Sequence, residues 1–268
     1  MYEQHGPIYG PLHDYSSGKI KYLLKSLLRS LLPLISFKTI QPTYKLKNIN
    51  LSGYFTSQWN KQFHTNSIEL CRNFKVIYTG IDTKLFPFLE KDLNSSRLNF
   101  LYIGRIQEEK GFLLLLEQLE LLKNTSDLPV YLTVLGKFDN KEKEKEIRGQ
   151  ISKSYTETSI DFKGQVKRTE LWQYYHEADF TVFPSIMKEA FSRIPLESMA
   201  CGTPCISTDN PGSKELFDLK APLIYLERSN EGLIKSIEPF LTNKNGYKRV
   251  CIEGRKFVEN SFTFDHFM

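Results

Sequence analysis

Cysteine is scarce in this chain of 268 residues, with four in all. Cys71, Cys201, Cys205 and Cys251 lie scattered, without the spacing of a disulfide framework or a zinc site. They read as small apolar residues in a reducing compartment. A secretory signal is also lacking, because residues 1–10 include Glu3, His5 and two glycines where an apolar segment would begin. The longest apolar stretch, residues 23–35, is interrupted by Lys25, Arg29 and Pro33 and is too short to span a bilayer. Together these absences make the cytoplasm the expected location. There is no GxxxxGK[ST] phosphate loop. No GxGxxG follows a strand, which disfavours a nicotinamide dehydrogenase. No Lys/Arg stripe interleaves with aromatics, so nucleic acid is not an expected partner.

What is present is the composition of a globular protein, 40% hydrophobic and 25% charged, with a net charge of +5 that suits anionic ligands. Lys19, Lys21, Lys25 and Arg29 decorate a Leu-rich helical pattern. It reads as a helix with one buried face or as a basic amphipathic surface. In the second case residues 19–38 would contact anionic lipid on the inner face of the membrane.

Residues 98–226 alternate short apolar runs with helical patterns. Strands are expected at 98–103, 130–135, 160–162, 179–183, 204–207 and 222–226, and helices at 111–123, 140–153, 169–177 and 196–201. Strands apolar almost throughout, each followed by a helix, imply an α/β fold with a parallel sheet covered on both faces. Ligands of such sheets bind in the loops after the strands. Before residue 90 the pattern is too sparse for a full second sheet, and residues 87–96 read as a polar linker.

Two of those loops carry chemistry. In the first, Gly104 ends a strand, Arg105 and Lys110 follow, and Gly111 opens a helix. Glycine lets backbone approach a phosphate, and the helix that follows presents free N–H groups. Arg105 can fork onto two phosphate oxygens while Lys110 supplies a point charge. In the second, Glu189 lies in a loop and Glu197, eight positions on, about one turn into the next helix. Both point to the ligand end of the sheet, where a carboxylate accepts hydrogen bonds from the vicinal hydroxyls of a sugar or ribose. Backbone N–H groups near Phe191 and Ser192 stand at the helix entrance, suited to an anion.

Five segments, in order, resemble the retaining glycosyltransferases of family 4, which have the GT-B fold. V-I-Y-T-G-I-D from Val76 resembles the family's interdomain V-I-P-N-G-V-D. Gly104 to Gly111 resembles its G-R-x-x-x-E-K-G loop, and L-T-V-L-G ending at Gly136 resembles its next strand. F-K-G-Q-V from Phe162, with Leu171, Tyr175 and Asp179, resembles F-x-G-x-V…L…Y…A-D. The segment from Pro184 to Pro204 resembles P-S-x-x-E-x-F-G-x-x-x-x-E-A-M-A-C-G-T-P, with its E-x7-E pair. That pair argues against a nucleotide-sugar epimerase of the same fold.

The resemblance implies one complete Rossmann-like domain at residues 87–250, a partial Rossmann-like acceptor-side domain at 1–86, and a carboxyl-terminal helix or tail at 251–268. It implies transfer of a sugar from a nucleoside-diphosphate sugar to an acceptor, with retention of configuration, in cell-envelope glycan synthesis. Arg105 and Lys110 would hold the diphosphate, Glu197 the ribose, and Glu189, Phe191 and Ser192 the sugar and adjoining oxygens. Gly164, Gln165 and Val166 would pack around the base, and Gly104 and Gly136 would shape the loops. Glu189 and His5 would be the catalytic residues, with His13 a competitor for the histidine role. No metal or other cofactor is expected. Thr79, Ala190 and Ser192 depart from the pattern, and Ser192 adds a side chain where the ligand approaches. The first strands and glycine-rich loop of the amino-terminal domain have no counterpart. The expectation is therefore a chain completed by a partner supplying that half, or alternatively an inactive remnant that only binds the donor.

Overall fold

A computed structural model describes residues 53–65, 74–93, 96–154 and 160–266. They divide into two compact units, one ending at Tyr78 and the other starting at Thr79. In the first, β1 (Tyr54–Phe55) pairs in parallel with β2 (Lys75–Val76), and α1 (Gln58–Thr65) lies between them in sequence. Ser57 Oγ accepts from Asn60 N at 3.0 Å, which caps the start of that helix.

The second unit is built on six parallel strands. They are β3 (Leu98–Ile103), β4 (Val130–Leu135), β5 (Ile160–Gly164), β6 (Phe180–Phe183), β7 (Cys205–Ser207) and β8 (Ile224–Tyr225). Their order is β5-β4-β3-β6-β7-β8. The helices are α2 (Phe112–Thr125), α3 (Lys141–Ser154), α4 (Leu171–Glu177), α5 (Ile194–Ala200), α6 (Pro211–Asp218), α7 (Gly232–Thr242) and α8 (Lys244–Ser261). The expected α/β fold is therefore present, with the strands running apolar on both faces. Four of the six β3 residues in a row, Phe100, Leu101, Tyr102 and Ile103, are buried. On α2, Phe112, Leu115, Leu116, Leu119 and Leu122 repeat at three- and four-residue steps and face the sheet.

Chain order reverses between β3 and β6, since the chain first builds outward through β4 and β5 and then returns. In open parallel sheets the ligand crevice lies outside the carboxyl ends of the strands at such a reversal, which here are β3 and β6. The adjoining strand end is held close. A Cβ on Gly136, which ends β4, would stand 1.8 Å from Gly104 O.

Elements differ from the sequence reading in three places. No helix is expected at 211–218 or 232–242, where α6 and α7 form. Asn-Pro-Gly reads locally as a turn, yet Asn210 caps α6 by accepting from Ser213 N at 3.1 Å. Pro239 sits inside α7, which hides its pattern. Finally, α8 runs continuously across position 250, the boundary before the expected carboxyl-terminal helix or tail, and buries Tyr247, Cys251 and Val258.

The segment at 87–96 is no loose connector over its described residues. Lys91 Nζ donates to Ala178 O and Thr203 Oγ1, each at 2.7 Å, and also to Tyr175 O. Ala178 and Tyr175 end α4, so the ammonium meets the negative pole of a helix. Arg255 of α8 donates to Phe86 O at 2.8 Å and Ala200 O at 2.9 Å, bracing the end of α5. Burial draws the Lys91 ammonium down to about 8, against the opposing influence of Cys251 and Asp179.

Lys91→Met should cost about 2–4 kcal/mol in denaturant unfolding, because it strips donors from three partly buried acceptors. Folded Lys91 loses its proton near pH 8, and the unfolded chain only near 10.5. Between those values the unfolded state holds more protons. The wild type should thus gain stability relative to the variant as pH rises from 8 to 10.5.

Candidate functional site

The loop after β3 is fixed from below. Tyr102, fully buried, donates its hydroxyl to Arg105 O at 2.6 Å. Burial, reinforced by the Glu189 carboxylate against the opposing Arg105, pushes that hydroxyl's pKa well up, so it remains a donor. The loop ends at Gly111 in the left-handed region, with φ of 71°. A Cβ there would stand 1.9 Å from Pro184 O, so the chain can pass only as glycine. The loop after β6 is stitched to the same place, because Ile186 N and Met187 N both donate to Glu109 O at 3.1 Å.

That stitching brings the two predicted groups together. Lys110 Nζ lies 2.7 Å from Glu189 Oε1, which also accepts from Ser185 Oγ at 2.5 Å. Both donors converge on one oxygen. Gly212 N donates to Glu189 O at 3.0 Å, which joins the loop after β7 to the same cluster. Arg105 stands on the same loop as Lys110, half-buried.

Glu197 occupies the second position of the pair, inside α5 and only 3% exposed. Its Oε1 lies 2.8 Å from Arg168 Nη1 and 4.0 Å from Arg193 Nε, and its Oε2 accepts from Tyr175 Oη at 3.2 Å. The Arg168 guanidinium sits over the buried Phe86 ring at 5.2 Å. Sequence reasoning missed Arg168, which directly follows the loop after β5; the available signal is a cation one position beyond that loop. It also missed Ser185, whose hydroxyl is legible only once Glu189 folds back toward it.

Phe191 stacks on Phe262 with centroids 5.8 Å apart, so the end of α8 backs this loop. Ser192 does not fill the crevice, because its Oγ turns back to accept from Ile194 N at 3.3 Å, at the start of α5. Gly164, Gln165 and Val166 lie at the end of β5, an edge strand, with Gly164 O accepting from Gly136 N at 2.8 Å. Thus the loops bearing Gly104, Gly136 and Gly164 lie side by side. His5, His13, Cys71 and residues 19–38 lie outside the described residues.

Cys201, Cys205 and Cys251 are free and buried, and burial pushes Cys201 and Cys251 up to about 12. They are unsuited to nucleophilic work. Among the described residues no three His, Cys, Asp or Glu side chains gather as metal ligands, and no helix is long and apolar enough to cross a membrane.

The family model described as glycosyl transferases group 1 matches residues 88–257. Among curated proteins, glycogen synthase of Mycobacterium tuberculosis is 31% identical over 70% of this chain and 44% of its own length. D-inositol 3-phosphate glycosyltransferase of Arthrobacter is 30% identical over 48% of this chain and 31% of its own length. The chain thus spans less than half the length of these relatives. Among solved structures, HepE of Anabaena in complex with UDP-glucose aligns with a TM-score of 0.69 at 19% identity, covering 94% of this chain and 67% of that one.

Gly111→Ala tests the junction of the two loops. The φ strain alone costs about 1–3 kcal/mol, and the clash with Pro184 adds to it. The expected outcome is a clear fall in thermal unfolding temperature. An unchanged midpoint would mean that the loops part without loss.

Proposed function

Because the chain belongs to the glycosyl transferases group 1 family, we propose that it binds a nucleoside-diphosphate sugar at the β3–β6 crevice. It then passes the sugar to an acceptor hydroxyl. The observation that carries this reading is the convergence of Lys110 and Glu189 at 2.7 Å where chain order reverses. A cation suited to phosphate and a carboxylate suited to hydroxyls stand side by side, as a sugar joined to a diphosphate requires.

Arg105 and Lys110 hold the diphosphate and neutralise the charge that grows on it as its bond to the anomeric carbon breaks. Glu189 accepts from hydroxyls of the transferred sugar, and Glu197 from the ribose. Gly164, Gln165 and Val166 border the base. Two cations at the phosphates make a metal unnecessary, and the family 4 resemblance supports retention of configuration and a role for His5 near the reacting carbon. Candidate donors include UDP-glucose, the molecule bound in the Anabaena structure. Acceptors are envelope glycans or lipid-linked sugars, reached from the cytoplasm, with residues 19–38 touching the membrane surface.

Titration with uridine, guanosine and adenosine diphosphates tests the reading. One of them should bind, and binding should survive a chelator. Arg105→Ala should weaken it by about 10- to 150-fold, the equivalent of about 1.5–3 kcal/mol for charge-assisted hydrogen bonds. Equal affinity in both proteins would remove Arg105 from the site. Glu189→Gln frees Lys110 from its partner. It should leave diphosphate affinity intact or higher while abolishing the preference for the sugar-bearing form over the bare diphosphate. Loss of bare diphosphate binding in that variant would contradict the assigned roles.

A further inference from the structure

Glu197 raises a physical problem for the reading above, on which this inference rests. A carboxylate only 3% exposed cannot take a ribose diol until something moves off it. Three groups crowd its oxygens. Tyr175 is fully buried and packed edge-on to the buried Phe86 at 6.1 Å, so it stays in place. Arg193 is 41% exposed but stands 4.0 Å away. Arg168 is 31% exposed and touches Oε1 at 2.8 Å. It is therefore the group that both blocks the carboxylate and has room to leave.

The contact is also one that a hydroxyl can displace. Arg168 Nη1 is shielded from water, yet no acceptor meets it in hydrogen-bond alignment. The pair is held by charge and by the guanidinium lying on the Phe86 ring at 5.2 Å, not by a directed bond. A sugar hydroxyl would approach the same oxygen as an aligned donor. Arg168 also heads the short 3-10 turn Arg168–Glu170, two positions after Val166 at the end of the loop from Gly164. A nucleoside held by that loop and by Glu197 would have to pass it.

We propose that Arg168 is a gate on Glu197: it covers the carboxylate when the crevice is empty, and the ribose of the donor binds only by displacing it. Arg168 thus sets how much of the ribose is felt in donor affinity. It weakens a diol contact that Glu197 would otherwise make freely.

The test compares ribo- and 2′,3′-dideoxy forms of uridine and guanosine diphosphate, measured by calorimetry on the full 268-residue chain. The ratio of the two affinities reports the diol contact alone and cancels the phosphate contribution. Arg168→Met keeps the apolar stem over Phe86 and removes the charge. It should raise the ribo-to-dideoxy ratio by about three- to fivefold, the size expected for a partly exposed ion pair. Arg168→Lys should fall between the variant and the wild type, and Arg193→Met should move the ratio little. A ratio that falls in Arg168→Met would make Arg168 a ribose anchor and overturn the gate, and an unchanged ratio would overturn it equally. Should the wild type bind diphosphates with no preference for the ribo form in any variant, Glu197 is not the ribose acceptor and the gate falls alone. Should no diphosphate bind, the functional reading falls first. Thermal unfolding run in parallel identifies a variant that has failed to fold, and Arg168→Gln then replaces it.

Discussion

One close approach governs the crevice: the backbone at Gly111 passes Pro184 O so tightly that a Cβ would stand 1.9 Å from the carbonyl. The loop after β3 and the loop after β6 meet there, across the line where chain order reverses. Because they meet, Glu109 O can take two N–H groups from the second loop, and Lys110 can reach Glu189. Separation by even one methyl group would break these contacts together. The cation and the carboxylate are therefore consequences of backbone packing, not independent placements.

The scaffold around that junction is held by polar contacts that cross between elements. Lys91 ties the segment before β3 to the end of α4 and to Thr203. Arg255 ties α8 to Phe86 and the end of α5. Gln118, buried on the otherwise apolar face of α2, donates to Glu227 O at 2.9 Å and Ser229 O at 2.6 Å, and so anchors the chain after β8. Each uses a long side chain to satisfy carbonyls that the sheet and helix ends leave open. Cross-linking of this kind holds the end of α5, the helix that carries Glu197.

The sheet was legible in sequence because buried parallel strands are apolar runs with a sharp stop, which is glycine after β3 and β4 and Pro184 after β6. The site loops were legible because glycine, cations and carboxylates stand out after such runs. The segment at 87–96 reads as a linker from its polar composition, and what that composition does not disclose is Lys91 reaching acceptors 84 to 112 residues away. Likewise α6 was hidden because Asn-Pro-Gly reads as a turn, although Pro211 suits the first position of a helix, and α7 was hidden by Pro239 in its interior. Arg168 was invisible for another reason: a lone surface-like arginine acquires meaning only when Glu197 and Phe86 arrive from other parts of the chain.

Tyr175 belongs to both networks by different parts of itself. Its carbonyl receives Lys91 and Thr203, while its hydroxyl reaches Glu197. The carbonyl is common to every amino acid, but the hydroxyl is not. Loss of the hydroxyl alone, as in Tyr175→Phe, thus keeps the ring packed on Phe86 and the scaffold contacts of the main chain, and alters mainly the setting of the carboxylate. Within one position, architecture and ligand preference are separately inherited. A lineage can adjust the neighbourhood of Glu197 there without first dismantling the brace on which the fold relies.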